Sequence, residues 1–165
     1  MTVSREEFRD AMARLGAAVN VVTTDGAAGR AGFTASAVCS VTDDPPTLLV
    51  CLNRSSRGAA QFKANGVLCV NTLAVGQHAL SDAFAGKGGL DSDGRFALAR
   101  WTRLATGAPV LEDAAVVAFD CRIAEVVEKG THSVLFAEIL AIRQGGPGGA
   151  LIWYGRDYHP VGHAA

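Results

Sequence analysis

The sequence is short of charge, of aromatic residues and of long apolar runs, and these shortages exclude several classes of protein. Lys and Arg number 15 against 16 Asp and Glu, which leaves a net charge of −1. A chain so balanced has no electrostatic attraction to nucleic acid or to an anionic membrane. No apolar stretch approaches the ~20 residues of a membrane-spanning helix, and the N-terminus lacks the apolar core of a signal peptide. We therefore expect a cytoplasmic protein with neither nucleic acid nor a membrane as a partner.

Cysteine is also scarce, and its spacing argues against a structural metal site. The 4 cysteines are Cys39, Cys51, Cys69 and Cys121. None belongs to the close Cys-x-x-Cys pairs that zinc sites use, and each lies among apolar, β-forming residues. We therefore predict buried thiols and no bound metal.

What the sequence does have is enough apolar material for a real core. Hydrophobic residues make up 49% of its 165 positions, which suits a single domain spanning 1–165. β-branched runs joined by short turns predict a mostly antiparallel β fold with a few short helices. A dinucleotide-binding doubly wound sheet is disfavoured, because no Gly-x-Gly-x-x-Gly follows the first strand. The predicted strands cover 19–24, 31–41, 47–53, 67–73, 114–127, 133–142 and 151–154. The predicted helices cover 56–64 and 76–85, and 87–94 is predicted as a loop.

The N-terminal pattern predicts a further, amphipathic helix. Ser4 and Glu7 have the spacing of a capping box. Phe8, Met12 and Leu15 then recur at helical spacing and share one face.

The long predicted strand 114–127 alternates between apolar and charged positions. Asp120 and Arg122 take one face of it, and Glu138 lies on the next predicted strand. No Ser-His-Asp order with an elbow motif accompanies them. We therefore interpret these residues as a charged, solvated strand face rather than as a hydrolytic site.

Two segments carry the clearest chemical signal. Gly32–Ala37 is small and hydroxyl-bearing, so a flat ligand can approach its backbone closely. Asn53–Ser56 follows a predicted strand and offers an amide, a guanidinium and adjacent hydroxyls. Hydroxyls and free backbone N–H groups at a strand-to-helix turn make a phosphate cradle, although serine at such a turn also serves as a plain helix cap. Together the segments predict a phosphorylated, planar ligand.

Six motifs, in this order, resemble the short-chain NAD(P)H:flavin reductases, which are the reductase components of two-component flavin-dependent monooxygenases. They are Gly32-Phe33-Thr34-Ala35-Ser36, Asp44-Pro45-Pro46, Asn53-Arg54-Ser55-Ser56, Val70-Asn71-Thr72-Leu73, Gly130-Thr131-His132 and Tyr154-Gly155-Arg156-Asp157-Tyr158. The resemblance covers nearly the whole chain. It implies an FMN-binding split β-barrel with Greek-key-like antiparallel strands, usually a homodimer. It also implies hydride transfer from NADH or NADPH to FMN or FAD, with the reduced flavin diffusing to a partner monooxygenase.

The resemblance further implies a flavin site built from the two segments and their continuations. Relatives line the isoalloxazine ring with the backbone of the first segment, and many carry Ser or Asn at the position of Ala37. The expected cofactor-binding residues are Phe33, Thr34, Ala35, Ser36, Ala37, Ser40, Cys51, Leu52, Asn53, Ser55, Ser56 and Phe96.

The resemblance places His132 beside the nicotinamide, as the expected catalytic residue. Hydride transfer needs two stacked rings and no protein base, so we expect His132 to orient the nicotinamide or to exclude water. Tyr154, Arg156 and Tyr158 alternate, which on a strand would place them on one face. Two aromatic rings beside a guanidinium suit a ring or an adenine diphosphate, so these residues are also expected to bind the nicotinamide nucleotide.

Several alternatives remain open at the level of sequence. The chain could hold a fixed flavin and reduce another acceptor, such as a corrinoid or a ferric complex. It could be a non-enzymatic split-barrel protein that stores or senses a flavin or haem. A pyridoxamine-phosphate oxidase-like enzyme shares the architecture, but it needs a cluster of Lys and Arg to bind its substrate phosphate, and the sequence shows no such cluster. The sequence does not distinguish FMN from FAD or NADH from NADPH.

Overall fold

The computed structural model describes residues 2–113 and 115–162, and it is mainly antiparallel β structure, as predicted. The strands are β1 (Ala17–Ala18), β2 (Asn20–Thr24), β3 (Ala31–Ala35), β4 (Val38–Asp43), β5 (Pro46–Asn53), β6 (Val67–Leu73), β7 (Trp101–Arg103), β8 (Pro109–Leu111), β9 (Ala115–Lys129), β10 (His132–Gln144), β11 (Ala150–Tyr154) and β12 (Asp157–Val161). The helices are α1 (Arg5–Met12), α2 (Ala59–Asn65), α3 (His78–Phe84) and α4 (Ser92–Phe96), with a 3₁₀ turn at Lys87–Gly89. The predicted start of the long strand at 114, and both ends of the predicted domain, lie outside the described residues.

The main sheet has 7 strands in the order β3-β2-β6-β9-β10-β5-β4. Its two edge strands, β3 and β4, are consecutive in the chain and are joined only by Ser36 and Ala37. The sheet must therefore curl until its edges almost meet, which makes a barrel that is split between β3 and β4. The single strand predicted over 31–41 is thus two strands that belong to opposite edges. Pairing of β2 with β6 and of β5 with β10 supplies the crossovers of a Greek-key-like topology.

Apolar side chains fill the barrel and a second layer beside it. Val50, Leu52 and Leu135 lie in the barrel interior, which Phe62 of α2 closes at one end. A second cluster packs Phe84 of α3 and Phe96 of α4 against residues that include Leu151 of β11. This second layer fixes α3 and α4 beside the split. Within the described ranges, no helix has the length and apolar character needed to cross a membrane.

Helix α1 confirms the capping box but leaves its apolar face uncovered. Ser4 Oγ accepts from the backbone N–H of Glu7, and Glu7 accepts from the backbone N–H of Ser4 at 2.8 Å. The exposed fractions of Phe8, Met12 and Leu15 are 58%, 46% and 60%. The pattern predicted the start of the helix correctly, because capping is local, but the helix ends at Met12 and Leu15 lies beyond it. The pattern could not say what covers the apolar face.

The predicted charged face of the long strand is wrong at Asp120. Arg122 does pair with Glu138 at the surface, but Asp120 is fully buried. Its carboxylate accepts hydrogen bonds from the backbone N–H and the hydroxyl of Thr106. The segment before β8 covers this part of β9, and Ala108 packs beside Ala118 there. A face that alternation marks as polar is therefore buried wherever another segment crosses it.

Replacing Asp120 by alanine is expected to lower the free energy of unfolding by about 1–3 kcal/mol, because it leaves the partly buried donors of Thr106 without their acceptor. Urea unfolding, followed by circular dichroism, measures the loss. Asp93→Ala is the matched control, since Asp93 is an acid 90% exposed in its pair with Arg30 and such pairs contribute little. Equal losses in the two variants would refute a structural role for the buried carboxylate.

The cysteine prediction is half right. Cys69 and Cys121 are buried, whereas Cys39 is exposed and Cys51 is half-buried. The exceptions lie on β4 and β5, the two strands at one margin of the split, where apolar neighbours along the chain do not ensure burial.

Candidate functional site

A cavity of about 630 Å³ opens at the split of the barrel. Gly32–Ala37 forms one wall, the end of β5 and the turn after it form another, and the C-terminal end of α3 forms a third. The two segments that the sequence analysis singled out therefore lie in the same cavity. We call it the main cavity.

The β3 wall presents backbone rather than long side chains. Among the strands of the described residues, β3 is hydrogen-bonded to β2 alone, so backbone groups on its other edge are available to a ligand. The Thr34 hydroxyl is already occupied, because it donates to the carbonyl of Ser81 at 2.6 Å. Gly32 is needed for this geometry, because a Cβ there would lie 2.6 Å from Cε1 of Phe84. A flat ring with edge donors and acceptors matches such a wall.

The turn after β5 is shaped by Asn53. The Asn53 side-chain oxygen accepts from the backbone N–H of Ser55 at 3.0 Å and from the Ser55 hydroxyl at 2.9 Å. The Asn53 carbonyl accepts from the N–H of Ser56. Ser55 is thereby occupied and does not line the main cavity, whereas Asn53 and Ser56 do. Helix α2 begins only at Ala59, later than the predicted start at residue 56, because the turn takes the intervening residues.

Two arginines that the sequence analysis missed also line the main cavity. Arg57 follows Ser56, and its guanidinium has no carboxylate partner in the described part of the chain. Arg95 comes from α4 and uses its Nε to hold the carbonyl of Leu90 at 3.0 Å. No Asp or Glu occurs among the described residues of the lining. The cavity is therefore cationic, which suits a phosphate dianion.

The signals for these arginines differ. Arg57 directly continues the Asn53–Ser56 motif, so extending that motif by one residue would have found it. Arg95 lies in a stretch whose first part was predicted as loop, but Asp91 caps α4 by accepting from the N–H of Gly94 at 2.8 Å. That cap was a readable helix signal. The position of Arg95 beside the cavity depends on tertiary packing and could not be predicted from the sequence.

His132 begins β10 and lies directly opposite Asn53 on β5. It is half-buried and lines the main cavity, and its Nδ1 lies 2.9 Å from the Thr131 hydroxyl. Arg54 links the turn before β10 to the end of β5. Its backbone N–H donates to the carbonyl of Thr131, and its guanidinium donates to the carbonyl of Gly130. The His132 ring is thus held at the rim of the main cavity, beside the turn that follows β5.

An ion cluster behind this rim supports the same turn. Glu128 accepts from Lys63 Nζ, and its two oxygens lie 3.1 and 3.0 Å from the Ser133 hydroxyl. Arg54 lies 3.6 Å from the same carboxylate. The hydrogen bond from Lys63 is the first cause that holds the pKa of Glu128 below its usual range. Glu128 is therefore a carboxylate at neutral pH. It holds Arg54, at the end of β5, and Ser133, at the start of β10, close to each other.

Several expected site residues do not reach the main cavity. Leu52 is a fully buried barrel residue. Ser40 lines a separate groove beside β4. Phe96 packs edge-on against Phe84 and Trp101, with the Arg30 guanidinium 4.3 Å from its ring centre. Phe96 therefore holds α4, and with it Arg95, in place. Phe33, Thr34, Ala35, Ser36, Ala37 and Cys51 do line the cavity.

The predicted shared face of Tyr154, Arg156 and Tyr158 is wrong. The segment is a hairpin that turns at Gly155 and Arg156, both with positive φ. Tyr154 pairs with Asp157, so Tyr154 and Tyr158 project to opposite faces. The Arg156 guanidinium pairs with Asp10 of α1. Alternation applies only within one strand, and the turn residues end it. Among residues 2–113 and 115–162, no three metal-ligating side chains cluster.

Comparison with known proteins gives a consistent result. A family model described as "Flavin reductase like domain" matches residues 12–162. The chain is 62% identical over 159 residues to "FMN reductase (NADH) RutF" of Ancylobacter novellus, covering 96% of this chain and 86% of that protein. A crystal structure of a candidate flavin reductase from Haemophilus somnus 129pt is 50% identical, covers 96% of this chain and 100% of its own, and superposes with a TM-score of 0.91. Nitrilotriacetate monooxygenase component B from Mycobacterium thermoresistibile is 25% identical, with coverage of 96% and 87% and a TM-score of 0.85.

Proposed function

Because the chain belongs to the flavin reductase family, we propose that residues 1–165 act as one domain that transfers a hydride from NADH to FMN. The observation that carries the proposal is the main cavity itself, with an open strand edge for a flat ring, an acid-free cationic end for a phosphate, and His132 at the rim. The name of the Ancylobacter relative selects FMN and NADH from the pairs that the sequence left open. The same name argues against the fixed-acceptor, storage and oxidase alternatives.

The residues present fit FMN. The phosphate would lie against Ser56 and Arg57, and the ring would lie along the backbone of Phe33–Ala37. Bound flavin supplies the hydride acceptor, a chemistry that no side chain here provides. The chain's own part is to hold the two rings in stacking distance and to exclude water, since proximity and orientation dominate such a transfer. In this proposal His132 orients the nicotinamide from the rim and moves no proton.

We also propose that reduced FMN leaves the site and serves a separate flavin-dependent monooxygenase. The support is that the Mycobacterium relative of the same fold is a monooxygenase component. We place the activity in the cytoplasm, where NADH is available.

We further propose a homodimer. The exposed apolar side chains of Phe8 and Met12 on α1, and of Leu15 just after it, support the dimer. A second copy would remove these side chains from water. Sedimentation velocity is expected to give the mass of two chains. A stable monomer that still binds FMN tightly would contradict this assignment.

Anaerobic mixing of the protein with NADH and a large excess of free FMN tests the main proposal. We expect the flavin absorbance to disappear over many turnovers, with NADPH and FAD compared in parallel. Reduction that stops at one equivalent of flavin would favour the alternative with a fixed flavin. No reduction at all would leave only a non-enzymatic flavin-binding role.

Bound FMN is expected to protect Cys51 from alkylation and to leave Cys39 reactive, because Cys51 lines the main cavity and Cys39 does not. Burial, with a smaller contribution from Cys39, raises the pKa of the Cys51 thiol. Without FMN its reaction with iodoacetamide should therefore be slow near neutral pH and should accelerate as the pH rises. Mass spectrometry of the labelled peptides measures both rates.

The buried thiols serve as internal controls for this experiment. Burial raises the pKa of Cys121 to about 12, so Cys121 should react only when the protein unfolds. Equal labelling of Cys51 with and without saturating FMN would place the flavin somewhere other than the main cavity.

A further inference from the structure

A second, smaller lobe of about 240 Å³ adjoins the main cavity. The two share Thr34, Ala35, Ser36 and Ala85 in their linings. The two lobes are therefore direct neighbours that share part of their walls. A reductase of this kind has two ligands to accommodate, and the second of them is a long dinucleotide.

A glycine-rich loop after α3 borders both lobes. Gly86 and Gly89 line the main cavity, and Lys87 lines the second lobe. Gly86, Gly88 and Gly89 all have positive φ, and a Cβ built on any of them would meet nothing within 4 Å. Packing thus does not exclude a side chain at these positions, and only the left-handed backbone disfavours one. Such a loop lets a diphosphate approach the backbone amides.

The second lobe differs from the main cavity in its lining, because it combines an aromatic wall with an acid–base pair. Its apolar wall is Trp153 and Tyr158, whose ring centres lie 4.9 Å apart. Its charged groups are Asp82 and Lys87, which form an ion pair. Asp82 accepts from the Tyr158 hydroxyl at 2.6 Å and from Lys87 Nζ at 2.8 Å. The hydrogen bond from Lys87 is the first cause that lowers the pKa of Asp82, and the bond from Tyr158 is the second. A carboxylate is thus present in this lobe, whereas the main cavity is cationic.

This chemistry matches one half of a nicotinamide dinucleotide. Aromatic side chains offer a surface for adenine, and a carboxylate accepts hydrogen bonds from the vicinal hydroxyls of a ribose. Lys87 belongs to the glycine-rich loop, where a bound diphosphate would compete with Asp82 for its ammonium group. The Asp82 carboxylate would then repel a phosphate on the 2′ position of that ribose.

We propose that the second lobe binds the adenosine half of NADH, with the diphosphate on the Gly86–Gly89 loop and the ribose diol on Asp82, so that Asp82 sets the preference for NADH over NADPH. The inference rests on the proposed NADH:FMN activity. It assigns to Asp82 and Tyr158 a role in the second ligand that is separate from FMN binding.

The substitution Asp82→Asn tests the proposal, because it removes the charge and keeps the shape. The ratio of kcat/KM for NADPH to kcat/KM for NADH is expected to rise at least about tenfold. Asp113→Asn is the matched control, since Asp113 is an exposed acid paired with Arg100 and lines neither lobe. Its ratio should equal that of the wild type. An unchanged ratio in Asp82→Asn would overturn the proposal.

The wild-type protein provides an independent arm, in case the variant does not fold. ADP-ribose is expected to inhibit competitively against NADH, and 2′-phospho-ADP-ribose to inhibit at least about tenfold more weakly. Equal inhibition by the two would overturn the proposal. If the wild type does not oxidise NADH at all, the proposed function fails. Calorimetry with the same two compounds then tests the lobe by itself, where equal affinities would refute it.

Discussion

Replacing His132 by alanine is expected to slow the reduction of FMN by NADH about 10²-fold, with the affinity for FMN retained. His132 stands at the rim opposite Asn53, held by the Thr131 hydroxyl and by the Arg54 contacts to its turn. A loss of positioning of about 1 Å can cost about 10²-fold in rate. Because no proton passes through the ring, the ratio of mutant to wild-type rates should stay flat between about pH 5 and 8. Stopped-flow reduction under anaerobic conditions measures both the rate and its pH profile.

His159→Ala is the matched control for this experiment. His159 is exposed on β12, where a ring nitrogen lies 3.0 Å from the carbonyl of Tyr154, and it does not line the main cavity. Its removal should leave the reduction rate unchanged. Wild-type rates and NADH affinity in His132→Ala would assign His132 a structural role. Loss of FMN from that variant would move the residue to the flavin site.

Replacing Ser56 and Arg57 together by alanine is expected to raise the dissociation constant for FMN by about 10²-fold. Each removes a hydrogen bond to a charged phosphate oxygen, worth about 1.5–3 kcal/mol, and about 1.4 kcal/mol corresponds to a tenfold change. The lower end of that range applies here, because Arg57 is exposed. Fluorescence titration of FMN, repeated at rising salt, measures the loss and its electrostatic part.

Riboflavin and Ser55→Ala provide the controls for the phosphate assignment. Riboflavin has the ring and no phosphate, so its affinity should be the same for the wild type and the double variant. Ser55 already donates to Asn53 and does not line the cavity, so Ser55→Ala should bind FMN almost normally. An equal loss of FMN and riboflavin affinity would show that the double variant had disturbed the ring site or the fold instead.

Several parts of the fold and the site could be read from neighbours along the chain. The capping box at Ser4 depends on a residue three positions away, and the strand pattern depends on alternate residues. The turn after β5 needs only Asn53 and the residues that follow it. Where the same local rules were applied across an unrecognised turn, as at Tyr154–Tyr158, they failed, because Gly155 and Arg156 reverse the chain.

The sequence by itself therefore determined most of the long strands, where α1 begins, and which two segments present small and hydroxyl-bearing groups. It missed the short strands β7 and β8 and the hairpin strand β12. Only the tertiary structure decided what surrounds those segments. Curling of the main sheet sets β3 at an open edge, and packing of Phe96 carries Arg95 to the main cavity. Docking of α3 leaves the Gly86–Gly89 loop between the two lobes, and crossing of β9 by another segment buries Asp120. The reason is physical: hydrogen-bond periodicity and capping act over a few residues, whereas a cavity wall is assembled by apolar burial between residues far apart in the chain.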